Sequence, residues 1–386
     1  MKTDESFLKL EKYIIEENYR GFDPYDTLNS FLPFGILGKW GPVLATQFQK
    51  RNPFNIRPLI GIKKGINPKG FALFLQAYSI LYSATNKEEY LKKADYFFNW
   101  LNINYTKGYS GKCWGSNFPW ASSEKFVEAY LPSSVVTGFV VKGLFEYYKV
   151  TQSKAALDLM ESACVFLDKD LEKFVDETGI CISYTPIKKD VCYNASILTA
   201  EALAKVYSIN KNIQYKQIAI KAVEFVLNKQ KANGVWNYSY NLESGKEREQ
   251  IDFHQGYVIE SIFEIKNVLN IYNINWEEAI QRGLAFYKNE QFDFSGRSFW
   301  RIPIKYPVEI HNQAQGIITF AKLKQYGEDY QSFASKICEW TIANMQSPKG
   351  FFYYQKFRTH TNKISYMRWS QAWMFLALVE LHKYNK

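Results

Sequence analysis

The chain holds no run approaching the roughly 20 apolar residues that a membrane-spanning helix needs. Its start, Met1-Lys-Thr-Asp-Glu-Ser-Phe-Leu8, lacks the apolar stretch of a signal peptide, so the cytoplasm is the expected compartment. Cysteine is scarce: Cys113, Cys164, Cys181, Cys192 and Cys338 are odd in number and scattered, with no CxxC or Cys/His cluster among them. That excludes a disulfide framework and makes neither a zinc site nor any other metal or cofactor an expectation. The formal charge is +10, yet its lysines and arginines are dispersed, and no RRM, zinc-finger or helix-turn-helix pattern accompanies them. The excess therefore points to an anionic small partner or a solvated surface and away from nucleic acid. Linkers rich in Pro, Gly or Ser are absent too, which favours one continuous domain over residues 1–386.

What the chain has in quantity is aromatic residues, 17% of the total. Many stand behind glycines in a unit that recurs about every 60 residues. Each unit is an amphipathic helix, a glycine followed by aromatics, a loop and a helix rich in small residues. The punctuation reads Gly111-Lys-Cys-Trp114, Gly179-Ile-Cys-Ile-Ser-Tyr184, Gly234-Val-Trp236-Asn-Tyr238, Gly296-Arg-Ser-Phe-Trp300 and Gly350-Phe-Phe-Tyr353-Tyr354.

Six segments read as inner helices, apolar on most faces: Lys69–Ala84, Ser133–Val150, Asn194–Ile209, His254–Ile271, Gln313–Tyr326 and Ser370–Tyr384. Six others show one apolar stripe against a charged face: Glu5–Asn18, Glu88–Leu101, Lys154–Leu171, Gln214–Lys229, Glu277–Asn289 and Tyr330–Met345. The chain begins on an outer helix and ends on an inner one, so six pairs form only if Glu5–Asn18 packs beside Ser370–Tyr384 and closes a ring. Residues 19–68 show no clear long helix. The prolines at 24, 33, 42, 53, 58 and 68 make that segment a set of ordered turns covering one end of the ring.

This organisation resembles the six-hairpin glycosidase-like superfamily, an all-α (α/α)6 toroid of six inner and six outer helices with short β-like turns in the mouth loops. The superfamily includes glycosidases, unsaturated-uronyl hydrolases, sugar 2-epimerases and polysaccharide lyases. Four motifs, Gly21-Phe-Asp-Pro-Tyr-Asp26, Asn55-Ile-Arg-Pro-Leu-Ile60, Asp252-Phe-His-Gln-Gly-Tyr257 and Arg368-Trp-Ser-Gln-Ala-Trp373, look like those of an uncharacterised bacterial and archaeal family that accompanies surface-polysaccharide genes. The resemblance implies a glycan and association with polysaccharide-assembly enzymes, and carries no mechanism residue by residue.

Aligning the last three inner helices on their small residues puts Gln255, Gln315 and Gln371 in one register. One turn nearer the mouth stand Asp252, Asn312 and Arg368, with His254, Glu309, His311 and Trp369 beside them and Tyr193 opening the third inner helix. Two chemistries suit these groups. Asp252 with Glu309 or Asp26 supplies an acid and a base for glycoside hydrolysis, while His254 or His311 with Tyr193 suits proton abstraction from a uronate in a lyase or epimerase. In the second, Arg368 and Asn312 neutralise the sugar carboxylate. The loop aromatics Trp114, Trp120, Trp236, Tyr238, Trp300, Tyr353 and Tyr354 offer flat faces for sugars. Plainer roles exist for each: Asp252 as a helix cap, the glutamines bonded to one another, Arg368 paired with Glu309 or Asp252, and loop aromatics folded back as a plug.

The expected function is thus action on an acidic, uronate-containing oligo- or polysaccharide by hydrolase or lyase/epimerase chemistry. The alternative is a non-catalytic glycan-binding or assembly protein, which keeps the aromatic groove and needs no tuned acid and base. A terpenoid-cyclase-like toroid is disfavoured by the lack of any DDxxD or DxDD run, and an open scaffold by closure of the ring.

Overall fold

A computed structural model describes residues 2–122 and 126–384. The six inner helices are α3 (Pro68–Thr85), α5 (Ser134–Thr151), α7 (Tyr193–Asn210), α9 (His254–Val268), α11 (Ile310–Lys322) and α13 (Trp373–Tyr384). Each packs on the next, and α13 returns to α3, so the ring is closed. Small residues set the spacing: a Cβ on Gly143 of α5 would stand 2.6 Å from the carbonyl oxygen of Ala72 on α3, so only glycine permits that approach. Outside lie α1 (Lys2–Glu16), α4 (Glu88–Ile103), α6 (Lys154–Lys169), α8 (Ile213–Asn228), α10 (Ile274–Gln291) and α12 (Tyr330–Met345). Their stripes are buried and their other faces solvated, as amphipathicity requires. The first outer helix does meet the last inner one: Phe7 stacks on Phe375 at 5.2 Å, and Leu10 and Ile14 are fully buried.

The glycine–aromatic turns join neighbouring pairs. A Cβ on Gly111, Gly179, Gly234 or Gly350 would overlap the carbonyl oxygen of Ser162, Lys221, Arg282 or Lys9, on α6, α8, α10 and α1, and one on Gly296 would crowd Ile337 on α12. Each glycine thus lets its loop press on the outer helix of the following pair, the last reaching back to the first. Inner-helix side chains hold the same loops from within. Gln255 accepts the Trp236 N–H at 3.0 Å and donates to its carbonyl at 2.7 Å; Gln371 does both for Phe352 at 2.8 Å. In α11 this role belongs to Gln313, which accepts from Ser298 N–H at 2.6 Å and donates to the Gly296 carbonyl. The register that aligned Gln315 with Gln255 is therefore two residues out, and the glutamines do not bond to one another.

Among the described residues four small antiparallel sheets lie in the loops, including Val191–Cys192 with Ser239–Tyr240 and Glu247–Arg248, and Val308–Glu309 with Gln355–Lys356 and Thr361–Asn362. Inside the ring a buried ionic network links the inner helices. Lys142 meets Glu201 at 3.0 Å, Lys205 meets Glu264 at 2.7 Å, Lys322 meets Glu264 at 3.2 Å, and Glu260 accepts from Thr319 at 2.5 Å and from Gln315. The 19–68 segment contains a twelve-residue helix, α2 (Trp40–Arg51), that the sequence reading did not expect there. A buried charge cluster docks the segment on the ring: Arg57 Nε donates to Asp26 at 2.7 Å and its Nη2 to the Asp23 carbonyl at 2.9 Å, while Arg368 grips the Asp23 carboxylate at 2.6 and 2.8 Å.

Candidate functional site

The N-terminal ends of the inner helices open into one cavity of about 1200 Å³, larger than a drug-sized pocket and roomy enough for an oligosaccharide. Lys69 of α3, Val135 of α5, Asn194 of α7, His254 of α9, His311 of α11 and Arg368 before α13 all reach it. Helix N-termini carry partial positive charge, so six of them around one space favour an anion. Lys50, Arg51, Lys188, Lys189, Arg248 and Arg301 add full charges to the wall, against Asp190, Glu243, Asp252 and Glu309.

Asp252 stands just before α9, where its Oδ1 accepts the His254 backbone N–H at 3.2 Å and meets His254 Nδ1 at 2.5 Å. Its Oδ2 accepts from Gln250 Nε2 at 2.9 Å and lies 3.4 Å from Arg301 Nε. Burial alone would raise this carboxyl, but His254 and Arg301 outweigh it and hold it below the usual carboxylate range. An ionised Asp252 favours a proton on His254 Nδ1 and so orients the ring, and Nε2 has no hydrogen bond among the described residues. Tyr238 braces the imidazole edge-on at 4.9 Å.

His311 is different. Its Nε2 meets the Tyr257 hydroxyl at 2.7 Å, its ring stacks on Phe253 at 4.0 Å, and its Nδ1 is buried without a partner. Burial, then Lys69, Arg368 and His254, keeps it well below the usual histidine range and hence neutral. Glu309 is held at both oxygens, by Trp369 Nε1 at 2.8 Å and Gln355 Nε2 at 3.1 Å. Asn312 lines the wall, but its amide serves the backbone, accepting from Phe253 N–H at 3.0 Å and donating to the Phe299 and Trp300 carbonyls. Arg368 faces the cavity with Nε and Nη2 committed to Asp23, and not to Glu309 or Asp252, the partners expected from the sequence.

Trp369, Tyr238, Trp300, Trp120 and Tyr354 line the cavity. Other expected site residues do not reach its wall, and each has another task. Trp114 and Trp236 are buried between helices, donating from Nε1 to the Leu101 and Val226 carbonyls. Tyr193 is buried and donates to Glu247 at 2.7 Å. Gln255 holds the Trp236 loop, Gln315 bonds Glu260 within the ring, and Asp26 is the buried partner of Arg57, its carboxyl pushed up to about 6 because burial outweighs that ion pair. A glycine–aromatic pattern cannot show which way the ring turns, and here two of the tryptophans turn into the seams between pairs.

Lys69 was missed. Its ammonium makes no hydrogen bond or ion pair among the described residues and sits among the rings of Phe139 at 4.0 Å, Trp373 at 5.2 Å and Tyr257 at 5.4 Å. Burial first, then repulsion from Arg368 and Lys142, lowers it well below the usual lysine range. The available signal was a lysine at the mouth end of an otherwise apolar helix, directly after the Asn67 cap and Pro68. Among the described residues no three His, Cys, Asp or Glu side chains are grouped as metal ligands.

Solved structures share this architecture. The cellobiose 2-epimerase of Bacillus thermoamylovorans superposes with a TM-score of 0.65 at 15% identity, covering 83% of this chain and 88% of that one. The GH76 alpha-mannanase of Bacteroides thetaiotaomicron gives 0.64 at 16%, covering 83% and 86%, and a possible GH105 member from Salmonella enterica gives 0.64 at 16%, covering 83% and 84%. The fold is the six-hairpin (α/α)6 toroid. A family model described as pectic acid lyase matches residues 188–277 of the toroid, a minority of the chain that includes Asp252 and His254. No curated protein sequence matches it.

Proposed function

We propose that the toroid is a carbohydrate-active enzyme that moves a proton on a uronate-containing glycan, with His254 Nε2 as the base. The observation that carries this reading is the Asp252–His254 pair at the cavity wall: a buried ionised carboxylate on Nδ1, an unengaged Nε2 and cations around them. Nε2 takes the hydrogen on the carbon next to the sugar carboxylate, and the electron pair passes into that carboxylate as an enediolate. The sugar carboxylate supplies the partner that Lys69 lacks and so favours its protonated form, and this ammonium with the helix N-termini offsets the charge that develops. In a lyase the pair then forms a carbon–carbon double bond as the β-oxygen leaves and takes a proton from the His254 imidazolium or from water; in an epimerase water delivers a proton to the opposite face while the imidazolium gives up its own to solvent. Hydrolysis fits less well, because Asp252 and Glu309 are already tied by neighbouring donors. The pectic-acid-lyase match over this segment and the epimerase among the structural neighbours support carbohydrate chemistry of this kind.

The test incubates the protein with uronate oligosaccharides in deuterated water and follows both ultraviolet absorbance of an unsaturated product and deuterium at the exchanged carbon by mass spectrometry. Wild type is expected to give one of the two signals and His254→Gln neither, with glycan binding retained. New reducing ends formed with neither signal would replace proton abstraction by hydrolysis. Binding without any turnover would favour a non-catalytic glycan-binding protein.

A further inference from the structure

Between Asp26 and Glu88 the sequence contains no acidic residue, while Lys39, Lys50, Arg51, Lys63 and Lys64 lie in that interval. The same segment exposes large apolar side chains. On α2, Trp40, Leu44 and Phe48 fall at successive four-residue steps and so form one stripe. This stripe is 52, 60 and 65% exposed, the reverse of the buried stripes on the outer helices. Its other side, with Val43, Thr46, Gln47 and Lys50, lines the cavity. The preceding turn, Phe34–Leu37, packs on α2 and holds Ile36 and Leu37 out at 80 and 72%. Lys39 Nζ lies 5.5 Å from the Trp40 ring, and Arg51 is exposed at the other end of the helix.

A monomer seldom leaves so much apolar surface in water without use. Protein–protein interface cores are depleted in lysine, whereas Trp, Leu and Phe on one helical face flanked by Lys39 and Arg51, on a stretch of chain that itself has no acid and whose Lys64 pairs with Glu17 of the neighbouring turn, match the interfacial region of an anionic bilayer. Headgroup phosphates attract the cations, and the apolar stripe enters the boundary beneath them. No helix among the described residues is long and apolar enough to cross a membrane, so the element lies on the bilayer.

We propose that α2 and its flanking turns seat the protein on an anionic bilayer and hold the mouth of the cavity at that surface. The glycan is then taken from a membrane-presented carrier and not from bulk solution. Seating is independent of the proposed chemistry, since α2 contains none of the groups that move the proton.

Vesicles of phosphatidylglycerol and phosphatidylcholine, and of phosphatidylcholine alone, test this by flotation. Wild type is expected to float with the anionic vesicles, less as salt is raised, and much less with the neutral ones. The triple variant Trp40→Ser, Leu44→Gln, Phe48→Ser should lose on the order of a hundredfold in partitioning, since each large apolar side chain withdrawn from water is worth about tenfold or more when fully buried. Its melting temperature should not fall, because the three side chains support no core, and His254→Gln should float like wild type. Failure of wild type to float at low salt overturns the proposal, as does a triple variant that partitions normally. So does a wild-type dimer that the triple variant dissociates without altering flotation, which would make the stripe a contact between two copies.

Discussion

Replacing Asp252 by Asn changes one atom and tests the proposed base directly. Gln250 Nε2 donates to Oδ2 and Arg301 Nε lies nearby, so both favour an oxygen at that position. The amide nitrogen of Asn must then face His254, where Oδ1 now accepts from the backbone N–H and pairs with Nδ1. Its N–H donates to Nδ1 and forces the histidine proton onto Nε2, leaving no lone pair towards the cavity. The negative charge that would stabilise the imidazolium is lost as well. General-base catalysis supplies about 10²–10⁴-fold, so kcat should fall by that factor, roughly 2.7–5.5 kcal/mol of barrier. Two donors now face each other at the start of α9, and stability should drop by about 1 kcal/mol, measurable by urea denaturation. Combining Asp252→Asn with His254→Gln should cost little beyond the worse single variant, because the two residues act as a unit. Turnover by Asp252→Asn within about tenfold of wild type would refute the assignment and leave Asp252 as a helix cap.

Lys69→Met keeps the length of the side chain and suits its aromatic surroundings. It should weaken binding of a uronate oligosaccharide by about tenfold or more and leave its neutral counterpart unaffected, read by calorimetry; equal affinity of both proteins for the uronate would remove Lys69 from the site. Because burial depresses this ammonium in the folded state, the same variant should melt at or above the wild-type temperature at neutral pH. Glu260 is raised by burial from 4.5 to about 7, so the native state binds its proton more tightly than the unfolded chain does. Its contribution to stability is present below about pH 4.5 and is lost as pH rises through 7. Glu260→Gln should therefore gain on wild type between pH 5 and pH 8 by up to roughly 3 kcal/mol, and a pH-independent difference between the two denaturation curves would contradict this.

The helix order was legible because apolar periodicity and small residues are local signals. Each outer helix carries its stripe and each inner helix its alanines and glycines, and the outer-first, inner-last order foretold that α1 would close the ring on α13. Spacing did not settle the pairing of Asp252 with His254, since Glu309 and His311 stand at the same interval at the start of α11 and take other partners. The glutamine register was not legible either. Aligning Gln315 on the neighbouring glycine ignored where the incoming loop sits, and the loop is held by Gln313. Nor could spacing show that Asp23, more than 340 residues from Arg368 in the chain, would take both arms of that guanidinium.

By itself the sequence determined that this chain forms helical hairpins with their loops gathered at one mouth, because hydrophobic pattern and capping act over a few residues. Only the tertiary structure decided which side chains face that mouth. Trp114 and Trp236 turn into the seams, Asp26 and Tyr193 find buried partners, Lys69 is left among aromatic rings without a carboxylate, and Trp40, Leu44 and Phe48 are left in water. Each of these outcomes depends on which distant element arrives opposite a residue, and long-range packing alone sets that.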